Sequence, residues 1–276
     1  MRHLLHISDV HFGPPHRPEL AEKVLAFAEE HKPDAVVLSG DLTQRAKAKQ
    51  FQEARRFVDR LPAPTLVVPG NHDVPLYRFW ERTMRPFRAY QKYFARELEP
   101  VWQDEELLIV GINTAHGWTV KEGRVVLSRL RKVTEIIQSA PAHLFKVVVA
   151  HHHLTPPPRF GTQTVARNAY QAISAFSEAG VDVVLSGHQH QTYVTTSEEF
   201  YPSGRAPVLI LHAGTTTSSR GRGSELDKNT FNWISVDDKS LRFSHYHWEP
   251  ALHEFVEISR HAYPRRTCKP YRLYAD

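Results

Sequence analysis

Apolar residues along this chain fall into two patterns. Short, nearly continuous runs rich in Val, Ile and Leu occupy Leu4 to Ser8, Ala35 to Ser39, Leu66 to Pro69, Leu107 to Ile112, Lys146 to Ala150, Val181 to Ser186 and Val208 to Leu211. A run apolar on both alternating sides reads as a strand buried on both faces. Between the runs, apolar residues recur at about one-turn spacing. In Ala46 to Leu61 they are Phe51, Ala54, Val58 and Leu61, so one helical face packs inward while Lys and Arg face water. Glu19 to His31, Leu127 to Ser139 and Val165 to Ala179 read the same way, the last closing on Gly180 as a helix C-cap. Strands joined by helices predict an α/β fold with a largely parallel sheet and outer helices.

Two segments break the rhythm. From about 74 to 102 no strand is expected. An aromatic-rich stretch with Phe87, Tyr90, Phe94 and Leu98 at helical spacing predicts a helical cap over a site entrance, its stripe better suited to core than to a substrate platform. From Phe231 to His247, the runs Asn232 to Val236 and Leu241 to His245 flank Asp237 and Asp238 as a β-hairpin would. The organisation expected is one domain over 1–276, with the insertion at about 74–102 and a C-terminal hairpin plus tail at about 231–276. No internal repeat is visible.

Composition narrows the class little. The chain has 276 residues, 41% hydrophobic and 24% charged, which suits a globular domain with a buried core. No apolar stretch reaches the roughly 18 to 20 residues that span a bilayer, and no secretory leader pattern opens the sequence. One cysteine, Cys268, excludes an internal disulfide and fits a reducing, cytoplasmic setting. The net charge of +5 points weakly to anionic partners. The basic clusters, Arg220 to Arg222 and Arg265, Arg266 and Lys269, read as a solvated loop and tail. Without a groove-binding motif, nucleic acid is not the expected partner.

What no fold requires is the set of donors at the strand ends. Asp9 and His11 (SDVH), Asp41 (SGD), Asn71 (GNHD), His151 (AHHH), then His188 and His190 (GHQH) each follow an apolar run. The carboxyl ends of strands in α/β sheets form the crevice where ligands bind, so separated segments can converge there. On an extended backbone, residues two apart point to one side, so Asp9 with His11, and His188 with His190, could each share an ion. Imidazole, carboxylate and amide donors without thiolate suit Mn, Fe, Zn, Co or Ni. Each motif alone is weak, and their joint order carries the argument.

With these blocks in this order, the chain resembles the calcineurin-like metallophosphoesterase superfamily over about Asp9 to His190. The segment HAGTTTSSRGRG followed by NTFNWISV is similar to that of the bacterial class III cyclic-nucleotide phosphodiesterase-like branch. The resemblance implies a four-layer α/β/β/α sandwich, with two facing mixed sheets and a dinuclear site at the strand C-terminal ends. It implies one ion held by Asp9, His11, Asp41 and His190 and another by Asp41, Asn71, His151 and His188, with Mn and/or Fe first among the candidates. The third histidine of AHHH, the prolines that follow Thr155 and the Arg-rich tail have no counterpart in that pattern.

Two cations about 3.5 to 4 Å apart can lower the pKa of a bridging water and clamp a phosphoryl group, so hydrolysis by a metal-bridging hydroxide is expected. His72 would protonate the leaving alkoxide, with Asp73 fixing its tautomer. His116 beside Trp118 and Thr215 in the loop Thr215 to Ser218 are expected substrate contacts at the rim, and His153 a pocket residue that contacts substrate. The substrate expected is a small phosphodiester such as a cyclic nucleotide. A phosphomonoesterase, or a nucleotide or lipid-precursor pyrophosphatase, is the alternative, and a nuclease is disfavoured. The sequence fixes no oligomeric state, and a homodimer is compatible with it.

Overall fold

The computed structural model describes residues 1–156, 165–202 and 207–265. The chain begins β1 (Arg2–Ile7), α1 (Pro18–His31), β2 (Ala35–Leu38), α2 (Ala48–Asp59) and β3 (Thr65–Val67). It continues through α3 (Phe79–Met84), α4 (Arg88–Tyr93), β4 (Val101–Gln103), β5 (Leu107–Ile112), α5 (Leu127–Ser139), β6 (Phe145–Ala150), α6 (Ala169–Ala179) and β7 (Val183–Ser186). Then follow β8 (Tyr193–Thr196), α7 (Ser197–Phe200), β9 (Leu209–His212), β10 (Thr230–Val236), β11 (Ser240–Glu249) and β12 (Glu254–Pro264).

These strands form two six-stranded mixed sheets, ordered β12-β11-β10-β1-β2-β3 and β4-β5-β6-β7-β9-β8. The apolar runs supply the parallel centres, β1-β2-β3 and β5-β6-β7-β9. Alternation along each run serves two cores at once. Leu4, Ala35, Val37, Leu107, Ile109, Val147 and Val149 meet between the sheets. Their neighbours Leu5, Ile7, Val36 and Leu38 face α1 and α2, while Leu108, Val110, Val148 and Ala150 face α5 and α6. Burial on both faces is why these runs contain so few polar residues. The result is the expected four-layer α/β/β/α sandwich.

Several elements differ from expectation. β4 lies within the stretch thought strand-free: it is three residues long, half-exposed, and pairs antiparallel with β5, so it has no apolar run to read. β8 and β12 are edge strands with mixed burial, and β12 is largely exposed. The helix expected from Val165 starts only at Ala169, because Asn168 takes a left-handed backbone (φ 64°) while its side-chain amide donates to Val125 O at 2.9 Å. The 74–102 segment holds two short helices, α3 and α4. Its stripe is core: Phe87, Tyr90 and Leu98 are buried in the cluster with α1 and α2, and Tyr90 donates to Val67 O of β3 at 2.8 Å. The hairpin of β10 and β11 turns at Asp237, whose carboxylate accepts from the backbone of Lys239 and Ser240. Cys268, Arg266, Lys269 and most of the proline run lie outside the described residues. No described helix is long and apolar enough to cross a membrane.

Candidate metal centre

The parallel strands of both sheets end at one edge of the sandwich, and the donors follow those ends. Asp9 and His11 come after β1, Asp41 after β2, Asn71 after β3, His151 after β6 and His188 and His190 after β7. All seven converge. His11 Nε2 lies 3.2 Å from His190 Nε2, 3.6 Å from Asp9 Oδ1 and 3.7 Å from Asp41 Oδ2. His151 Nε2 lies 3.2 Å from Asn71 Oδ1, 3.3 Å from His188 Nδ1 and 3.4 Å from Asp41 Oδ1. Asp41 therefore presents one oxygen to each group, and each group has four donors.

The backbone route to this convergence is not the extended one expected. Asp9 (φ 53°), His11 (φ 46°), Asp41 (φ 52°), His188 (φ 72°) and His190 (φ 56°) all adopt left-handed conformations. Each costs a non-glycine residue on the order of 1–2 kcal/mol, so the surroundings must hold them. They do: Asp9 N–H donates to Gly40 O and His11 N–H to Asp41 O, and His188 N–H donates to Asp9 Oδ2 at 2.9 Å. Two glycines allow the loops to approach. A Cβ on Gly70 would overlap Asp41, and one on Gly187 would overlap Ser8 and Asp9.

The donor chemistry calls for cations. His151 Nδ1–H donates to Ser39 O at 2.8 Å and His190 Nδ1–H to Arg220 O, which leaves each Nε2 as a lone pair. Lone pairs facing carboxylate and amide oxygens repel unless positive charge lies between them. Asp9 Oδ1 and His11 Nδ1 are buried without a hydrogen bond. Burial opposes ionisation of Asp9 and Asp41, yet the surrounding imidazoles, His190 for Asp9 and His151 for Asp41, hold both well below the usual carboxylate range. Burial likewise opposes the charged form of His151, but Asp41 carries it up to about 9. The pull toward positive charge between His151 and Asp41 is one that a metal ion would satisfy. The residues fit a pair of transition-metal ions.

The residues around this centre are placed less as expected. His72 is beside it, its ring edge-on to His11 at 4.8 Å, with Nδ1–H donating to Gln44 O at 2.9 Å. The Asp73 carboxylate is directed away from the hydrogen-bonding nitrogens of the His72 ring, whose Nδ1 is bonded to Gln44 O. That carboxylate accepts from the N–H groups of Gly70, Leu42 and Thr43 and from Thr43 Oγ1, clamping the turn after β3 to the loop after β2. Burial and Asp41 push that carboxyl up to about 7, against the pull of the three backbone N–H groups. Thr215 is buried too, donating to Asp9 O at 2.7 Å, and Thr216 and Thr217 hold Ser8 and Val10. That loop braces the Asp9 turn instead of reaching a rim. His153 is buried, stacked on His188 and bonded to Gln189, which places it behind a metal donor. His116 lies on a different cavity, whose wall contains none of the seven donors. His152 packs against His188, its Nδ1 2.8 Å from Thr114 Oγ1, and groups with His151 and His188 as an additional imidazole.

Sequence reading missed two cations. Arg220, expected in a solvated loop, is half-buried: its carbonyl fixes His190, its Nη1 donates to Gln44 Oε1 at 3.1 Å, and its Nε has no partner. Burial lowers its pKa, while the charges of Asp41 and Asp9 act to raise it. Arg45 Nη1 donates to Gln44 O at 2.9 Å, beside His72. The only sequence signal for Arg220 was its position in the loop after β9.

The calcineurin-like phosphoesterase family model matches residues 2–192. A probable cyclic nucleotide phosphodiesterase of Synechococcus is 26% identical over 182 residues, 63% of this chain and 64% of that protein. A glycerophosphodiester phosphodiesterase of Enterobacter lignolyticus is 33% identical over 85 residues, 25% of this chain and 29% of its own length. The chain thus spans less than two thirds of the curated relatives it matches. Among solved structures, a purple acid phosphatase from yellow lupin superposes with a TM-score of 0.71 at 11% identity, covering 95% of this chain and 53% of the phosphatase. A dimetal phosphatase from Danio rerio superposes with a TM-score of 0.63 at 10% identity, covering 95% and 98%. Such low identities speak for the fold alone, and the family match carries the assignment: this chain belongs to the calcineurin-like phosphoesterases.

Proposed function

We propose that the chain is a metal-dependent phosphodiesterase acting on small phosphodiesters, cyclic nucleotides foremost. The observation that carries the reading is the pair of four-donor groups sharing Asp41, with His72 alongside. When bound, two ions, Mn and/or Fe by preference, supply the Lewis acidity that activates water and offsets phosphoryl charge. The protein's own residues do the rest. With Nδ1 anchored on Gln44 O, His72 takes up and releases a proton at Nε2, and from its imidazolium form protonates the departing alkoxide. Arg220 and Arg45 supply guanidinium charge near the substrate oxygens. Both named relatives are described as phosphodiesterases, which favours a diester over a monoester or pyrophosphate. A small soluble substrate, a cytoplasmic location and no nucleic-acid partner belong to the same reading.

The test is a Mn-reconstituted activity panel of bis(p-nitrophenyl) phosphate, p-nitrophenyl phosphate, 3′,5′- and 2′,3′-cyclic nucleotides and glycerophosphodiesters. Diesters should turn over fastest. Preference for the monoester would overturn the diesterase reading, and no hydrolysis with two ions bound would overturn the enzyme reading altogether.

A further inference from the structure

Away from the metal centre, a cavity of about 770 Å³ opens between α3, α4 and the loop after β5, lined by Arg85, Arg88, Lys92, Arg96, Arg129 and Trp118 among others. Neither His72 nor any of the seven donors lies on its wall. Among the described residues, only Arg129 of these five cations has an ion-pair partner, Glu99 at 3.1 Å. Gathering like charges in one concavity raises the local potential and favours an anion there. The wall histidine, His116, has its pKa lowered by burial and then by Arg124, Arg129 and Arg82, of which Arg129 shares the wall.

Trp118 is 73% exposed at this cavity, so its indole face is available. The loop that carries it is fixed. Gly117 packs so closely on Arg82 that a Cβ would overlap the Arg82 carbonyl, and the Arg82 guanidinium donates to Pro75 O and Thr119 O. A preset ring beside a cluster of guanidinium groups suits a planar base attached to phosphates. The volume falls in the range of small-molecule sites, roughly 300 to 1,000 Å³.

We propose that this cavity is a second binding site, separate from the metal centre, for an organic phosphate bearing a planar ring, a nucleotide being the class that fits. The same loop touches the centre, since Val120 O accepts from Asn71 Nδ2 at 3.2 Å. Occupancy would therefore be felt at a metal donor. The proposal stands whether or not the centre hydrolyses diesters.

Calorimetric titration of the metal-loaded protein with α,β-methylene adenosine diphosphate, whose P–C–P link resists hydrolysis, tests it. Adenosine and methylenediphosphonate serve as part-ligands and should each bind more weakly than the whole. Replacing exposed Arg88 and Arg96 together (R88E with R96E) should weaken the nucleotide at least tenfold. Trp118→Ala should weaken it about tenfold, the scale of a lost base stack, and leave methylenediphosphonate unaffected. Metal content and the thermal midpoint serve as fold checks. Affinity unchanged in both variants would place the ligand on the metal ions and overturn the proposal, as would the absence of binding to the unmodified protein.

Discussion

Asp73→Asn separates two roles for one carboxylate. The sequence suggested that Asp73 steers His72; in the fold it clamps two loops. Its Oδ2 accepts from Gly70 N–H at 2.9 Å and Leu42 N–H at 3.1 Å, and its Oδ1 from Thr43 N–H at 2.9 Å and Thr43 Oγ1 at 3.0 Å. An amide can match only one of these oxygens. The milder orientation puts its NH₂ against Thr43, whose hydroxyl can turn to accept, leaving one buried N–H without a partner. An orphaned donor costs about 1 to 3 kcal/mol, and losing the charge from the remaining bonds adds to it. We expect about 2 to 3 kcal/mol of destabilisation, which for a domain of this size lowers the thermal midpoint by roughly 5 to 10 °C. Metal affinity should weaken as well, because the clamp positions Asp41 and Asn71. Turnover of bis(p-nitrophenyl) phosphate at saturating Mn should stay within a few-fold of the parent. The assay is calorimetric unfolding beside steady-state kinetics on one preparation. An unchanged midpoint with a hundredfold loss of kcat would refute the clamp and return Asp73 to His72.

Three further outcomes are expected. His72→Ala should retain two ions by elemental analysis and lose turnover by about a hundredfold or more, the size of a lost proton donor; unimpaired kcat in the metal-replete variant would remove His72 from the mechanism. Arg220→Ala should lower kcat/KM by roughly tenfold or more, the size of a lost charge-assisted hydrogen bond, with partial recovery in Arg220→Lys; both variants keep the backbone carbonyl that fixes His190, so metal content should equal the parent's, and a loss of metal would remove the phosphate-binding role. His245 bears on stability. Burial, then His261 of β12, pushes its pKa down to about 4, and across Asn232 it faces His6. The unfolded chain takes up that proton at about 6.5 and the folded chain only at about 4, so stability is complete above 6.5 and falls with pH across that interval. The loss should reach about 3 kcal/mol near pH 4. His245→Gln, which can still donate to Asn232, should flatten the urea-midpoint profile between pH 6.5 and 4; an unaltered slope would assign that dependence to other groups.

The sequence alone determined which strands are central. β1, β2, β5, β6 and β7 could be read because burial on both faces forces continuous apolar runs. The donor order was equally legible, since ligands at strand ends follow those runs directly. Tertiary structure decided whatever depended on neighbours distant in the chain. β4, β8 and β12 carry no apolar run, because their faces are left partly exposed, whereas β3, also at an edge, is packed on both faces and keeps one. Thr215, His153 and Asp73 are donor-bearing residues near motifs, as catalytic groups are. Only the loops packed around them show that they brace Asp9, lie under His188 and clamp Gly70. Arg220 is the converse case: in sequence it is one cation in a basic loop, and the fold turns its carbonyl onto His190. A side chain's chemistry is written in the sequence, but its partners are chosen by where separate loops meet.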